Sequence, residues 1–223
     1  MSGFSYKDIY VEDGKRVLEV NILPEKYCNF DCIFCPIGRS QNKADGQKYF
    51  GEIDSSLIEL ELMIENTKAE LIFINSKGEA LLNDKISDVI DFIKGKGLPV
   101  RLLSNGYLLG KDKYRKIADK CDEVVGDIKV TTEENYQKAQ RPVKGYTLAE
   151  YISSMVAFNK QYKGKFIFEV TIIKDYNDDD ESIHKIKNII ERISPDKIII
   201  TRIEDERFTK KLGIPDERFM EIS

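Results

Sequence analysis

Three of the four cysteines fall within eight residues, as Cys28, Cys32 and Cys35 in the stretch YCNFDCIFCPIGR at 27–39. The spacing CxxxCxxC could put three thiols on one face of a buried helix. Asn29, Asp31 and the Pro36-Ile37-Gly38 run instead mark the stretch as a loop. A zinc ion would need a fourth ligand, and the only candidates are Cys121 or the single histidine, His184, both distant in sequence. Disulfides fit poorly, because the first ten residues are polar and nothing resembling a signal peptide precedes the motif. An iron–sulfur cluster is normally held by four thiolates. Held by three, it keeps one iron without a protein ligand, and an amino acid offering amine and carboxylate could chelate that iron.

Length and charge narrow the rest. A chain of 223 residues suffices for one domain with a substantial core, so 1–223 is read as a single domain with a core at about 17–202 and a C-terminal tail at 203–223. No apolar run approaches the ~20 residues of a membrane helix. With 33% charged residues, this predicts a cytoplasmic protein with no membrane partner. A net charge of -4 and a pI near 5.3 disfavour nucleic acid as a partner without excluding a local basic patch. With Cys121 alone outside the triad, a single cluster is expected.

Apolar periodicity orders the chain as strands alternating with helices. Segments 9–11 and 17–23 flank the turn signal at 12–15 and predict a short N-terminal hairpin. Further strands are predicted at 71–74, 100–103, 123–130, 165–173 and 197–201. Helices fall between them, with capping boxes expected at Ser56/Glu59 and Thr147/Glu150. His184 sits beside the stripe Ile183, Ile186, Ile190 and Ile193 and reads as a surface histidine. Segment 40–51 is polar and reads as a mobile loop near the site. Six such units predict an α/β fold, a partial (β/α)6 TIM-like barrel, since a full eight-fold barrel takes ~250 residues.

The motif CxxxCxxC, with aromatic Phe34 before its third cysteine, resembles the radical S-adenosylmethionine (radical SAM) superfamily, over roughly 17–202. The resemblance implies a 4Fe–4S cluster on Cys28, Cys32 and Cys35, S-adenosylmethionine (SAM) on the open iron, and an external flavodoxin- or ferredoxin-like electron donor. It further implies reductive cleavage of SAM to a 5′-deoxyadenosyl radical that abstracts hydrogen from a substrate this sequence does not identify. Phe34 would pack near the adenine. Ser76-Lys77-Gly78-Glu79 is similar to the family's GGE motif, with Lys77 in place of the first glycine, and Glu79 would hold the SAM ammonium. Ser104-Asn105-Gly106 resembles its [TS]NG element, reaching the ribose or carboxylate of SAM. Asp127 and Lys129 match the Asp-x-Lys of glycyl-radical activases, where the pair sits beside SAM. Thr171 completes the expected cofactor contacts, while Lys174, Asn177, Arg202, Glu204 and Asp205 are read as substrate contacts. The segment VNILPEKYCNFDCIFCPIGR at 20–39 most resembles stand-alone relatives of the wyosine tRNA-modifying proteins. A tRNA-modifying enzyme, an activase and a non-catalytic metal-binding module therefore stand as alternatives. Cys121, ahead of the fourth core strand, is expected to be a packing thiol at the far end of the barrel.

Overall fold

The computed structural model describes residues 3–40 and 43–223, so positions 1–2 of the polar N-terminal segment and 41–42 of the 40–51 loop lie outside the described residues. Strands β1 (Ser5–Tyr6), β2 (Tyr10–Glu12) and β3 (Lys15–Asn21) open the chain. β2 and β3 form the expected hairpin, and Asp13 (φ 49°) and Gly14 (φ 77°) take the left-handed conformations that a two-residue turn between twisted strands demands. β3 is followed by β4 (Leu71–Ile74), β5 (Val100–Leu103), β6 (Glu123–Ile128), β7 (Lys165–Ile172) and β8 (Lys197–Arg202). These six pair in parallel in sequence order, giving an open, barrel-like sheet. β1 extends the same sheet antiparallel to the C-terminal end of β3.

Helices α1 (Asp54–Thr67), α2 (Ile86–Gly95), α3 (Asp112–Ala118), α4 (Glu133–Asn135), α5 (Leu148–Asn159) and α6 (Asp180–Ile193) occupy the crossovers. In α2, Ile86, Val89, Ile90 and Ile93 are fully buried at helical spacing, each worth about 1.5–3 kcal/mol of hydrophobic stabilisation. The Thr147 cap forms as expected, its Oγ1 accepting from the Glu150 N–H. The Ser56 cap does not. α1 starts two residues earlier, at Asp54, so Ser56 lies inside it, buried. The tail folds as α7 (Glu206–Leu212) and α8 (Asp216–Ile222).

Alternation along the strands divides the interior in two. Leu18 and Val20 join the core under the helices, while Glu19 and Asn21, alternating with them, face the lumen. Likewise Ile128 and Val130 face the helices, and Asp127 and Lys129 the lumen. At the N-terminal ends of the strands the gap between the first and last strands is bridged by charge, not by a ladder. Lys197 of β8 reaches Asp13 of the hairpin turn at 3.3 Å, and buried Arg101 ties Glu12 to Glu123 at 2.6 Å each. Cys121 is buried at this end, where the Tyr162 hydroxyl donates to its carbonyl. His184 is exposed on α6.

Candidate functional site

The cysteine loop follows β3 and lies across the C-terminal ends of the strands, held by its backbone at several points. Tyr27 forms a bridge with Gly78, and the Asp31 and Ile33 N–H groups donate to the carbonyls of Gln140 (3.0 Å) and Ala139 (2.8 Å). The Val143 N–H donates in turn to the Asn29 carbonyl at 2.9 Å. Residues 136–140 form a single π-helical turn ending at Arg141 in a left-handed conformation, which turns those carbonyls toward the loop. Phe30 anchors the loop from beneath, edge-on to the rings of Tyr107, Tyr136 and Tyr151 at 5.6–6.4 Å between centroids. The Asp31 carboxylate accepts from Arg39 Nε (2.9 Å) and the Ser40 N–H (2.6 Å). Burial raises its pKa, but these bonds outweigh burial and hold it below the usual carboxylate range.

All three thiols of the triad line one cavity of about 400 Å³. Burial pushes Cys28 up to about 12, with Glu79 adding to the shift, and Cys32 well above an ordinary thiol. Cys35 adds to the shift at Cys28, and Cys28 and Cys35 both add to the shift at Cys32. A cavity that desolvates Cys28 and Cys32 is a poor place for bare thiolates and a good one for a cationic metal centre that deprotonates its ligands. Among the described residues no three His, Cys, Asp or Glu side chains are grouped so as to hold a single metal ion. The soft sulfur donors fit an iron–sulfur cluster, and Cys121 does not line the cavity.

Of the other expected cofactor contacts, Phe34, Ser76, Gly78, Asn105, Asp127 and Lys129 line this cavity. Glu79, Ser104 and Thr171 do not. Glu79 is 1% exposed and turns behind the wall, accepting from Ser104 Oγ (3.1 Å) and from the N–H groups of Asn105 (2.9 Å) and Leu81 (3.2 Å). Burial raises its pKa to about 7 despite these donors. Thr171 shares a hydroxyl contact with Thr201 at 3.3 Å. Of the expected substrate contacts, Asn177 is buried and bolts the loop after β7, its Nδ2 donating to the Thr171 carbonyl and its Oδ1 accepting from the Ile173 N–H. Arg202 pairs with Asp216 and stacks on Phe219, which fixes α8. Asp205 caps α7 and pairs with Arg207, whose Nη2 donates to the Pro36 carbonyl beside Cys35. The tail thus touches the cysteine loop.

Gly78 is positioned by packing against the chain itself. At φ +138°, a Cβ there would sit 2.1 Å from the Tyr27 carbonyl oxygen. Gly78→Ala is therefore expected to destabilise the fold by about 3 kcal/mol or more, read by denaturant unfolding of the cofactor-free protein.

Several site residues escaped the motif reading. Glu19, 7% exposed, meets Lys7 at 2.5 Å and Asn75 Nδ2 at 3.1 Å in the lining of the same cavity. An acid between valines and leucines in β3 was its one readable signal. Glu169 stands beside Asp127 in register, and its charge reaches Lys129. The Asp127–Lys129 ion pair is 13% and 16% exposed, and Tyr151 Oη donates to Asp127 Oδ1 at 2.8 Å. Burial works against the charge of Lys129, but Asp127 and Glu169 outweigh it and its pKa is raised.

Comparison with known proteins bears on this geometry. The family model described as Radical SAM superfamily matches residues 22–186. A protein named GTPase Obg from Brachyspira hyodysenteriae is 26% identical over 90% of this chain and 30% of its own length. A UPF0026 protein from Methanocaldococcus jannaschii is 26% identical over 87% and 63%. This chain thus spans less than two thirds of either relative. The structure of TYW1 with a lysine-pyruvate adduct bound superposes with a TM-score of 0.68, covering 94% of this chain and 72% of that one at 16% identity. At that identity the likeness shows the fold.

Proposed function

Because the chain belongs to the Radical SAM superfamily, whose members hold a 4Fe–4S cluster and use SAM, we propose that Cys28, Cys32 and Cys35 ligate one such cluster and that SAM occupies the adjoining cavity. The observation that carries this is that these three cysteines share one cavity with Phe34, the Ser76–Gly78 backbone and Lys129, while Cys121 lies at the opposite end. When bound, the reduced cluster supplies the electron that splits the C5′–S bond of SAM, giving the 5′-deoxyadenosyl radical.

The chain's own residues do the rest. Lys129 would offer its ammonium to the SAM carboxylate, and Asp127 and Glu169 keep that ammonium charged. The Ser76-Lys77-Gly78 stretch that lines the cavity would receive the SAM ammonium, and Phe34, 5% exposed, would pack against the adenine. Glu79 acts one step back, tying the Ser104-Asn105 loop to its own. Family members need an external reductant, and a flavodoxin or ferredoxin is proposed here. Among the described residues no helix is long and apolar enough to cross a membrane.

For the substrate, the resemblance of 20–39 to wyosine-related proteins and the likeness to TYW1 support a small-molecule or nucleoside-modifying enzyme. The buried Asp127/Lys129 pair favours a second reading, a glycyl-radical activase, whose gene should lie beside that of a glycyl-radical enzyme. The name GTPase is not carried over, since the chain spans 30% of that relative and has no GxxxxGK[ST] run.

Anaerobic reconstitution tests the proposal. It is expected to give about four irons per chain and, with dithionite and SAM, 5′-deoxyadenosine. A protein that keeps metal but yields no 5′-deoxyadenosine would be a binding module. Cys121→Ser is expected to leave iron content and SAM cleavage unchanged. Loss of the cluster in a folded Cys121→Ser protein would replace three-thiolate ligation with a four-cysteine site.

A further inference from the structure

Asn105 lines the cavity, yet its polar atoms are spent on the chain. Its backbone N–H donates to Glu79 Oε2 at 2.9 Å. Its Oδ1 accepts from the Tyr107 N–H at 3.2 Å, closing a local turn. Its Nδ2 donates to Asn29 Oδ1 at 2.6 Å and lies 3.8 Å from Cys28 Sγ, within hydrogen-bond range for sulfur. The Phe30 N–H is a second donor to the same sulfur, at 3.4 Å.

We propose that Asn105 is a tuning residue for the metal centre, its side-chain amide donating a hydrogen bond to the ligating sulfur of Cys28. This rests on the cluster-binding reading above.

An amide carries two N–H donors, so one N–H of Asn105 can hold Asn29 Oδ1 while the other reaches Cys28 Sγ. Donors to a ligating sulfur stabilise the more negative, reduced state of a cluster and raise its potential. Acids and lysines both reach these sulfurs, Glu79 and Lys26 at Cys28 and Asp127 and Lys129 at Cys32, so the amide adds a short-range donor to a site whose charges oppose one another. Because Asn105 also holds Glu79, the strand-end loops are built to present that amide.

The test is a redox titration, followed by electron paramagnetic resonance, of the reconstituted protein without SAM. Asn105→Leu removes the amide and the turn acceptor together. Asn105→Ser keeps a side-chain oxygen for the Tyr107 N–H and cannot reach Cys28. Both variants are expected to show a midpoint potential more negative than wild type, and the reduced wild-type cluster exchanged into D₂O should show a deuteron coupling, beyond the one that the Phe30 N–H supplies, that both lack. If Asn105 serves only the turn, Asn105→Ser will keep the wild-type potential and coupling, which overturns the proposal. A wild-type protein holding no cluster would instead sink the cofactor reading.

Discussion

Replacing Cys32 with alanine is expected to lower 5′-deoxyadenosine formation by more than ~100-fold and to leave reconstituted iron near background. Altering a partner one step removed from a metal ligand already costs 10–100-fold in affinity or activity, and Cys32 belongs to the proposed ligand set itself. It sits between the other two cysteines in sequence and feels the charge of both. The loop should survive the change. Its fixed points are the Tyr27–Gly78 bridge, the Asp31 and Ile33 bonds to the π-helical turn, and the Phe30 anchor, none of which uses the Cys32 side chain. Cofactor-free Cys32→Ala should therefore unfold at nearly the wild-type denaturant midpoint. A variant that still cleaves SAM at the wild-type rate would end the three-thiolate assignment.

The sheet was largely legible because its signals are local. Parallel strands buried on both faces read as short apolar runs, and Leu71–Ile74 and Val100–Leu103 end where those runs end. Two kinds of structure were not legible. One is β1, only two residues long, whose pairing with Val20 and Asn21 depends on β3 being in place. The other is the turn at 136–140, which no periodicity announces because its purpose is to turn carbonyls toward a loop a hundred residues earlier. The site divides in the same way. Residues whose role is set by strand phase, such as Asp127 and Lys129, fell where alternation put them. Motif residues did not all follow, since a motif fixes the backbone path and leaves side-chain direction open. Glu79 turned from the cavity to hold Asn105 and Ser104, and Gly78 answers first to the Tyr27 carbonyl. Asn177 and Arg202, read as substrate contacts from their place at strand ends, proved to be fasteners of loop and tail.

Lys129→Met is expected to separate stability from cofactor binding in the lumen. Lys129 is paired with Asp127 and its charge also reaches Glu169, and all three are largely shielded from water. Removing it leaves two neighbouring carboxylates uncompensated. Breaking a buried pair on one side typically costs 3–5 kcal/mol, so the cofactor-free variant should lose about that much stability at neutral pH. If Lys129 also meets the SAM carboxylate, a charge-assisted bond of about 1.5–3 kcal/mol is lost as well, weakening SAM binding to the reconstituted protein by roughly 10- to 150-fold. The two effects part on adding Asp127→Asn, which removes one stranded charge and keeps its shape. The double variant should recover much of the stability and none of the SAM affinity. If restoring stability also restored SAM binding, Lys129 would be a structural counter-ion only, and the cofactor's carboxylate would have to be held elsewhere in the cavity.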